Sequence, residues 1–133
     1  MTFEDLESWQ RARQLTREIY TLTRQGELAR DFGLCGQIQR ASVSIMSNIA
    51  EGFERFHVPE KLQFYNVARG SSAEVRSLLY VVEDNYHALA SEAVRLREES
   101  VIVGKLVSGL FKSTEGRKRS KLRLLVLGCL LGF

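Results

Sequence analysis

Residues 37–55, QIQRASVSIMSNIAEGFER, carry apolar positions at helical spacing over far more than one face. Placed at about 100° per residue, Ile38, Ala41, Ile45, Ile49 and Gly52 share one side. Val43, Met46, Ala50 and Phe53 fill the adjoining arc, and Arg40, Ser44, Ser47, Glu51, Glu54 and Arg55 keep to the remaining strip. A surface helix buries a stripe of roughly 100°. An apolar arc about twice that width predicts the most buried helix of the fold. Its second arc needs cover from its own bundle or from a neighbouring subunit.

Three further stretches repeat the pattern. Leu6, Trp9, Ala12, Leu15, Ile19 and Leu22 recur at threes and fours and predict a helix from about residue 3 or 4 to 24. Its first turn holds Glu4, Asp5 and Glu7, where the helix dipole favours acids, and Gly26 ends it. Residues 25–33 read as a connection, with Asp31 and Gly33 as turn residues, and the central helix follows from about 34 to 55. His57 and Val58 make a turn, and Pro59 opens a third helix in its first turn, where a missing N–H costs nothing. That helix runs to about His87 on a stripe of Phe64, Ala68, Ser71, Val75, Leu78 and Val82. Four small residues, Gly70-Ser71-Ser72-Ala73, interrupt it. Mid-helix glycine costs about 1 kcal/mol relative to alanine, so close approach of another helix is expected there. A fourth helix runs from Ser91, a plausible cap, to about Thr114. Leu96, Val103, Val107 and Leu110 form its stripe, with Ile102, Leu106 and Phe111 alongside. Four long helices with short connections predict an all-α, antiparallel up-down-up-down four-helix bundle.

The totals agree with one core. The chain has 133 residues, 44% hydrophobic and 26% charged, with a single proline, which is ordinary globular composition. The formal charge of +3 conceals an asymmetry: residues 1–116 hold 14 Lys and Arg against all 16 Asp and Glu, whereas residues 117–123 hold five basic residues and no acid. Two segments follow, a bundle over 1–116 and a basic-then-apolar tail over 117–133. The tail reads as disordered or loosely packed, as a packing strand or helix, as a weak membrane contact or as readthrough sequence. Its apolar run is short of the about 20 residues a spanning helix needs, so a membrane partner is not expected. Cys35 and Cys129 are the only cysteines. With no signal peptide, they read as reduced thiols in a cytoplasmic protein.

Candidate chemistry is sparse. Asp84 and His87 have the spacing of half a di-metal motif, but two histidines in the chain are too few for such a site. Glu51 and Glu54 share a strip with Arg40 and Arg55, and Glu51–Arg55 is a natural i,i+4 pair. Lys105 follows Gly104 without an upstream glycine loop, so no phosphate loop exists. No catalytic residue, metal, cofactor or small-molecule substrate is expected. Ser42 and Asn48 beside the main stripe of the second helix, and Ser71 within that of the third, must be satisfied if buried. They predict a polar network between those helices, with Glu74 and Arg55 as members and Glu51 alongside. On the third helix Tyr65, Arg69, Arg76 and Tyr80 fall within one arc. Guanidinium groups suit phosphate oxygens and tyrosines stack on bases. Lys61, Arg40, Arg55, Arg11, Arg13 and Arg17, with Arg117, Lys118 and Arg119 of the tail, extend this basic set. Tyrosine and arginine also suit protein interfaces, so a protein-binding adaptor is the competing reading, with these four residues buried between subunits.

Three blocks carry a resemblance. FEDLESWQRA at residues 3–12, the central QIQRASVSIMSNIAEGFER, and Phe64 through ARGSSAEV at residues 68–75 resemble a known bacterial family. Its members are four-helix bundle proteins encoded in intervening sequences of large-subunit ribosomal RNA genes. The accessory variability proteins of diversity-generating retroelements are similar. The resemblance covers residues 3–115. It implies a ring-like homopentamer without established enzymatic activity, for which nucleic-acid binding is the proposed role. For the retroelement relatives it implies work beside a reverse transcriptase. The near-neutral body departs from the strongly basic surface of those relatives. Met46 stands where proline often precedes the Ser-Asn pair.

Overall fold

A computed structural model describes residues 1–132, the side chain of Lys118 excepted. Over that range four α-helices form, α1 (Glu7–Leu22), α2 (Phe32–Glu54), α3 (Val58–Asn85) and α4 (Ala90–Leu131), with 3-10 turns at Phe3–Asp5, Gly26–Arg30 and His87–Leu89 and no strand among the described residues. Helices adjacent in the chain pack together, and α4 also packs against α1. Leu15, Ile19, Leu22, Ile38, Ile45, Ile49, Leu79, Leu96 and Val103 are at most 2% exposed. Burial of each such side chain is worth about 1.5–3 kcal/mol.

The boundaries moved where local chemistry outweighed periodicity. α1 stops at Leu22 with Thr23 as its C-cap, and Gly26, at φ +54, instead starts the turn that buries Leu28. α3 ends at Asn85 and α4 begins at Ala90, so Ser91 lies inside the helix and is not its cap. The largest change is at the other end of α4. The helix expected to stop near Thr114 continues through the tail to Leu131 and closes on Gly132, at φ +74. Lysine, arginine and leucine are strong helix formers, and no proline breaks the run. The described side chains from Arg117 to Leu131 stand in solvent, apart from partial cover at Gly128.

α2 buries Cys35, Ile38, Ala41, Ser42, Ile45, Ile49 and Gly52. Its second arc is covered in part within the chain: Met46 packs on the core, Phe53 lies under the Lys61 ammonium, and Val43 remains 40% exposed. On α3 Ala68, Ser71, Val75 and Val82 are buried as expected, and the stripe differs at two positions. Tyr65 and Leu79 are enclosed where Phe64 and Leu78 were expected. Another helix does approach the small-residue stretch of α3, at Ser72 and not at Gly70: a Cβ on Gly104 would lie 3.1 Å from Ser72 Oγ, whereas one on Gly70 would meet nothing in the chain.

The polar network joins α2 to α3, with partly different members. Ser44 Oγ and Ser71 Oγ are 2.8 Å apart, and Asn48 Nδ2 donates to the Ser44 carbonyl at 2.8 Å and to Ser44 Oγ at 3.1 Å. Ser42 faces α1 instead: its hydroxyl donates to Gln39 O while its carbonyl accepts from Thr16 Oγ1. Among the described residues Glu74 is reached by Gln37 Nε2 alone, at 3.5 Å on the surface. Glu51 is exposed, and no Glu51–Arg55 ion pair forms among the described residues. Arg55 turns over the Phe64 ring, 4.7 Å from its centroid. Substituting Asn48→Leu removes one donor while Ser44 and Ser71 still satisfy each other. Urea denaturation is expected to register a loss of about 1 kcal/mol, and an unmoved midpoint would mean the network contributes nothing.

Asp31 fastens one end of the bundle. Its Oδ1 accepts from the Leu34 N–H at 3.2 Å as the N-cap of α2, and its Oδ2 accepts from the Tyr86 hydroxyl, just past α3, at 2.7 Å. The Tyr86 bond first, and the Leu34 bond second, hold its carboxyl below the ordinary 3.8. A depressed folded-state pKa contributes stability above the unfolded value, lost as pH falls through the folded one. Tyr86→Phe is therefore expected to lower the melting temperature near neutrality and to narrow its gap from the parent as pH falls below about 4. A gap constant with pH would place the role of Tyr86 in packing. Nearby, burial pushes the Cys35 thiol up, and its Sγ donates to Leu28 O at 3.0 Å, an inert setting for a cysteine.

Candidate nucleic-acid interface

The two helices in most extensive contact, α3 and α4, leave a groove along their outer junction. Arg69 and Arg76 stand seven residues apart on α3, and Lys105 and Lys112 stand seven apart on α4. Seven residues are nearly two turns, so each pair lines one helix face with a rise of about 10 Å. A depression of about 290 Å³ is walled by Arg69, Arg76, Lys105 and the small residues Ser72, Ala73, Ser100, Gly104 and Ser108. A second continues from it past Arg69 and Ser108 to Lys112 and Glu115. A third extends past Arg76 to Tyr80 and Arg97. Small side chains keep the floor low, so the long cations stand at the rims.

Several cations elsewhere in the protein are committed to partners. Arg11 pairs with Glu99, Arg95 with Glu18 and Glu92, and Arg97 with Glu83. Arg13 lies over Trp9 and Arg17 donates to Gln14. Among the described residues no carboxylate forms an ion pair with Arg69, Arg76, Lys105 or Lys112. Unpaired charge along a concave wall concentrates its field there.

The structure unites only part of the basic set expected from the sequence. Arg69 and Arg76 line the groove and Tyr80 borders it. One face of the Tyr80 ring is taken by the Arg97 guanidinium, 3.9 Å from the centroid. Tyr65 is a correction: it is 2% exposed, wedged against the α2 backbone at Gly52, and offers no ring to a base. Burial pushes its hydroxyl pKa up. Lys61 is a second correction. Its half-buried ammonium donates to the Gly52 and Phe53 carbonyls, closing the C-terminal end of α2, whose last carbonyls lack helical partners. Desolvation, with the charge of Arg117, holds its pKa below 10.5. Arg40 is exposed on α2, away from the groove, and Arg55 borders a shallow surface shared with Glu51 and Glu54. Arg117 and Arg119 project from the extended α4, where Arg119 pairs with Glu115. The Lys118 side chain lies outside the described residues. Lys105 and Lys112 were absent from the sequence-derived set. Their spacing, matching that of Arg69 and Arg76, was the available signal.

Asp84 and His87 are exposed beyond the core, and no three His, Cys, Asp or Glu side chains converge on a metal position among the described residues. No helix over those residues is long and apolar enough to cross a membrane.

Residues 4–109 match the model of a protein family described as 23S rRNA-intervening sequence protein. No curated protein matches the chain. The matched span includes α1, α2, α3 and the first half of α4 with Lys105, and it ends before Lys112 and the basic residues 117–123.

Proposed function

The chain belongs to the 23S rRNA-intervening sequence protein family, and from that premise we propose that it is a non-enzymatic, cytoplasmic accessory protein that binds nucleic acid through its phosphates. The α3–α4 groove is the contact surface. The observation that carries this reading is the pair of facing rows, Arg69 and Arg76 opposite Lys105 and Lys112, all without carboxylate partners. Arginine can fork onto two phosphate oxygens and lysine supplies a mobile point charge. The groove floor offers serine hydroxyls already committed to their own helices, as at Ser72 and Ser100, and so little that would read base edges. Binding without sequence preference follows.

The bundle is up-down-up-down in this reading. Its support is pairings that run in opposite directions along each pair of helices adjacent in the chain: Thr16 with Ser42 and Thr23 with Gln39, Ser44 with Ser71 and Gly52 with Tyr65, and Ser72 with Gly104 and Glu83 with Arg97. We further propose a homo-oligomer, with the pentamer implied by the family resemblance. Val67, Gly70, Ser77 and Val81 lie on the outward side of α3, all exposed, and Gly70 would let a second helix come close.

Affinity for a labelled fragment of 23S rRNA, measured by fluorescence anisotropy over a salt series, tests the reading. Binding through several phosphates falls linearly on a log–log plot, by about 0.7–0.9 per contact. Absence of binding at low salt, or affinity indifferent to salt, would overturn it.

A further inference from the structure

The short link between α2 and α3 holds a second feature, which rests on the nucleic-acid reading above. Phe56 is 95% exposed, an unusual position for a phenyl ring, and it is held between the end of α2 and the start of α3, where Pro59 restricts the chain. Beside it opens a cavity of about 580 Å³, walled by Phe56, Val58, Lys61, Arg117 and Lys121 with the hydroxyls of α4. Among the described residues three cations line it and no carboxylate does. Lys61 already spends two donors on α2 carbonyls and contributes mainly charge. Arg117 depresses the Lys61 pKa, Glu54 opposing it, so the two cations are close enough to repel. An anion seated between them would relieve that repulsion.

We infer that this corner binds an unpaired nucleotide of a single-stranded segment, its base stacked on Phe56 and its phosphate held by Arg117 and Lys121. A phenyl face accepts any base, and in a duplex both faces of each base are already covered. A self-complementary contact between copies of the chain fits less well, because it would set the three cations of one patch against those of the other.

The test compares a labelled oligouridylate with an RNA duplex of equal length. Phe56→Ala is expected to weaken single-strand binding roughly tenfold and to leave duplex binding unchanged. Phe32→Ala, an equally simple loss of an exposed ring (82%) at the far end of α2, is expected to change neither. Phe56→Trp should retain affinity, and its emission should be quenched on binding. If Phe56→Ala leaves single-strand affinity intact while groove substitutions abolish it, the inference fails and the groove reading stands. If the parent binds neither RNA, both fail. A change of oligomeric state in Phe56→Ala, seen by light scattering without loss of affinity, would make the ring a contact between copies and overturn the inference.

Discussion

Gly52→Ala is expected to lower the melting temperature by roughly 3–10 °C. The added Cβ would lie 2.7 Å from Tyr65 Cε1, 2.9 Å from Tyr65 Cδ1 and 3.0 Å from Phe64 Cβ. None of these atoms ends a flexible chain. Tyr65 is enclosed between α2 and α4, and its ring can retreat only by moving α3 away from α2. Overpacking of this kind costs about 1–3 kcal/mol; with ring and Cβ atoms this close the upper part of that range applies, and it exceeds the about 1 kcal/mol that alanine gains over glycine by helix propensity. The cost should be specific to the contact: Tyr65→Leu is destabilising by itself, but Gly52→Ala added to it should cost less than in the parent, a coupling readable from a double-mutant cycle. Strict additivity, or a melting temperature raised by Gly52→Ala, would show that the ring is not held there.

The second large effect concerns binding. Reversing charge in both rows, Arg69→Glu with Lys105→Glu, should raise the Kd for 23S rRNA fragments by about two orders of magnitude near 0.1 M salt and flatten the salt dependence by about two contacts. Both side chains are exposed, so stability should stay within about 0.5 kcal/mol. Arg17→Glu, an exposed cation on α1 away from the groove, is the control, and its effect should be several-fold at most. Equal losses from all three substitutions would reduce the interaction to net charge. No loss from the first two would remove the groove from consideration.

Much of the fold is legible in the spacing of apolar residues because burial in a bundle is periodic. Ile38, Ala41, Ile45 and Ile49 needed no tertiary information to be recognised as core. Adjacent apolar pairs were harder. At Phe64-Tyr65 and Leu78-Leu79 one member faces inward and the other sits at the edge, and that choice depends on how α3 rotates between α2 and α4. Tyr65 shows the cost of the ambiguity, since the same arc that groups it with Arg69 on a helical wheel places it next to a glycine that only packing reveals. The groove was half legible. Arg69 and Arg76 were recognisable as a pair on one helix, but their alignment with Lys105 and Lys112 is a property of two helices together. In the sequence alone Lys105 stands out only as a lysine that follows a glycine. Lys61 was recognised as a cation, and its use in closing α2 depended on a contact across a turn. The tail was read by its change in composition, whereas helix propensity governed its conformation.

The continuity of α4 sets what its basic end can do. Its 42 residues form a rod of about 63 Å, against about 42 Å for the 28 residues of α3. Arg117 and Lys121, one turn apart, are therefore carried at a fixed height and azimuth from the core, not on a tether. A polyanion that grips them meets groups already in place, and most of the entropy a loose extension would surrender on binding has been spent in folding.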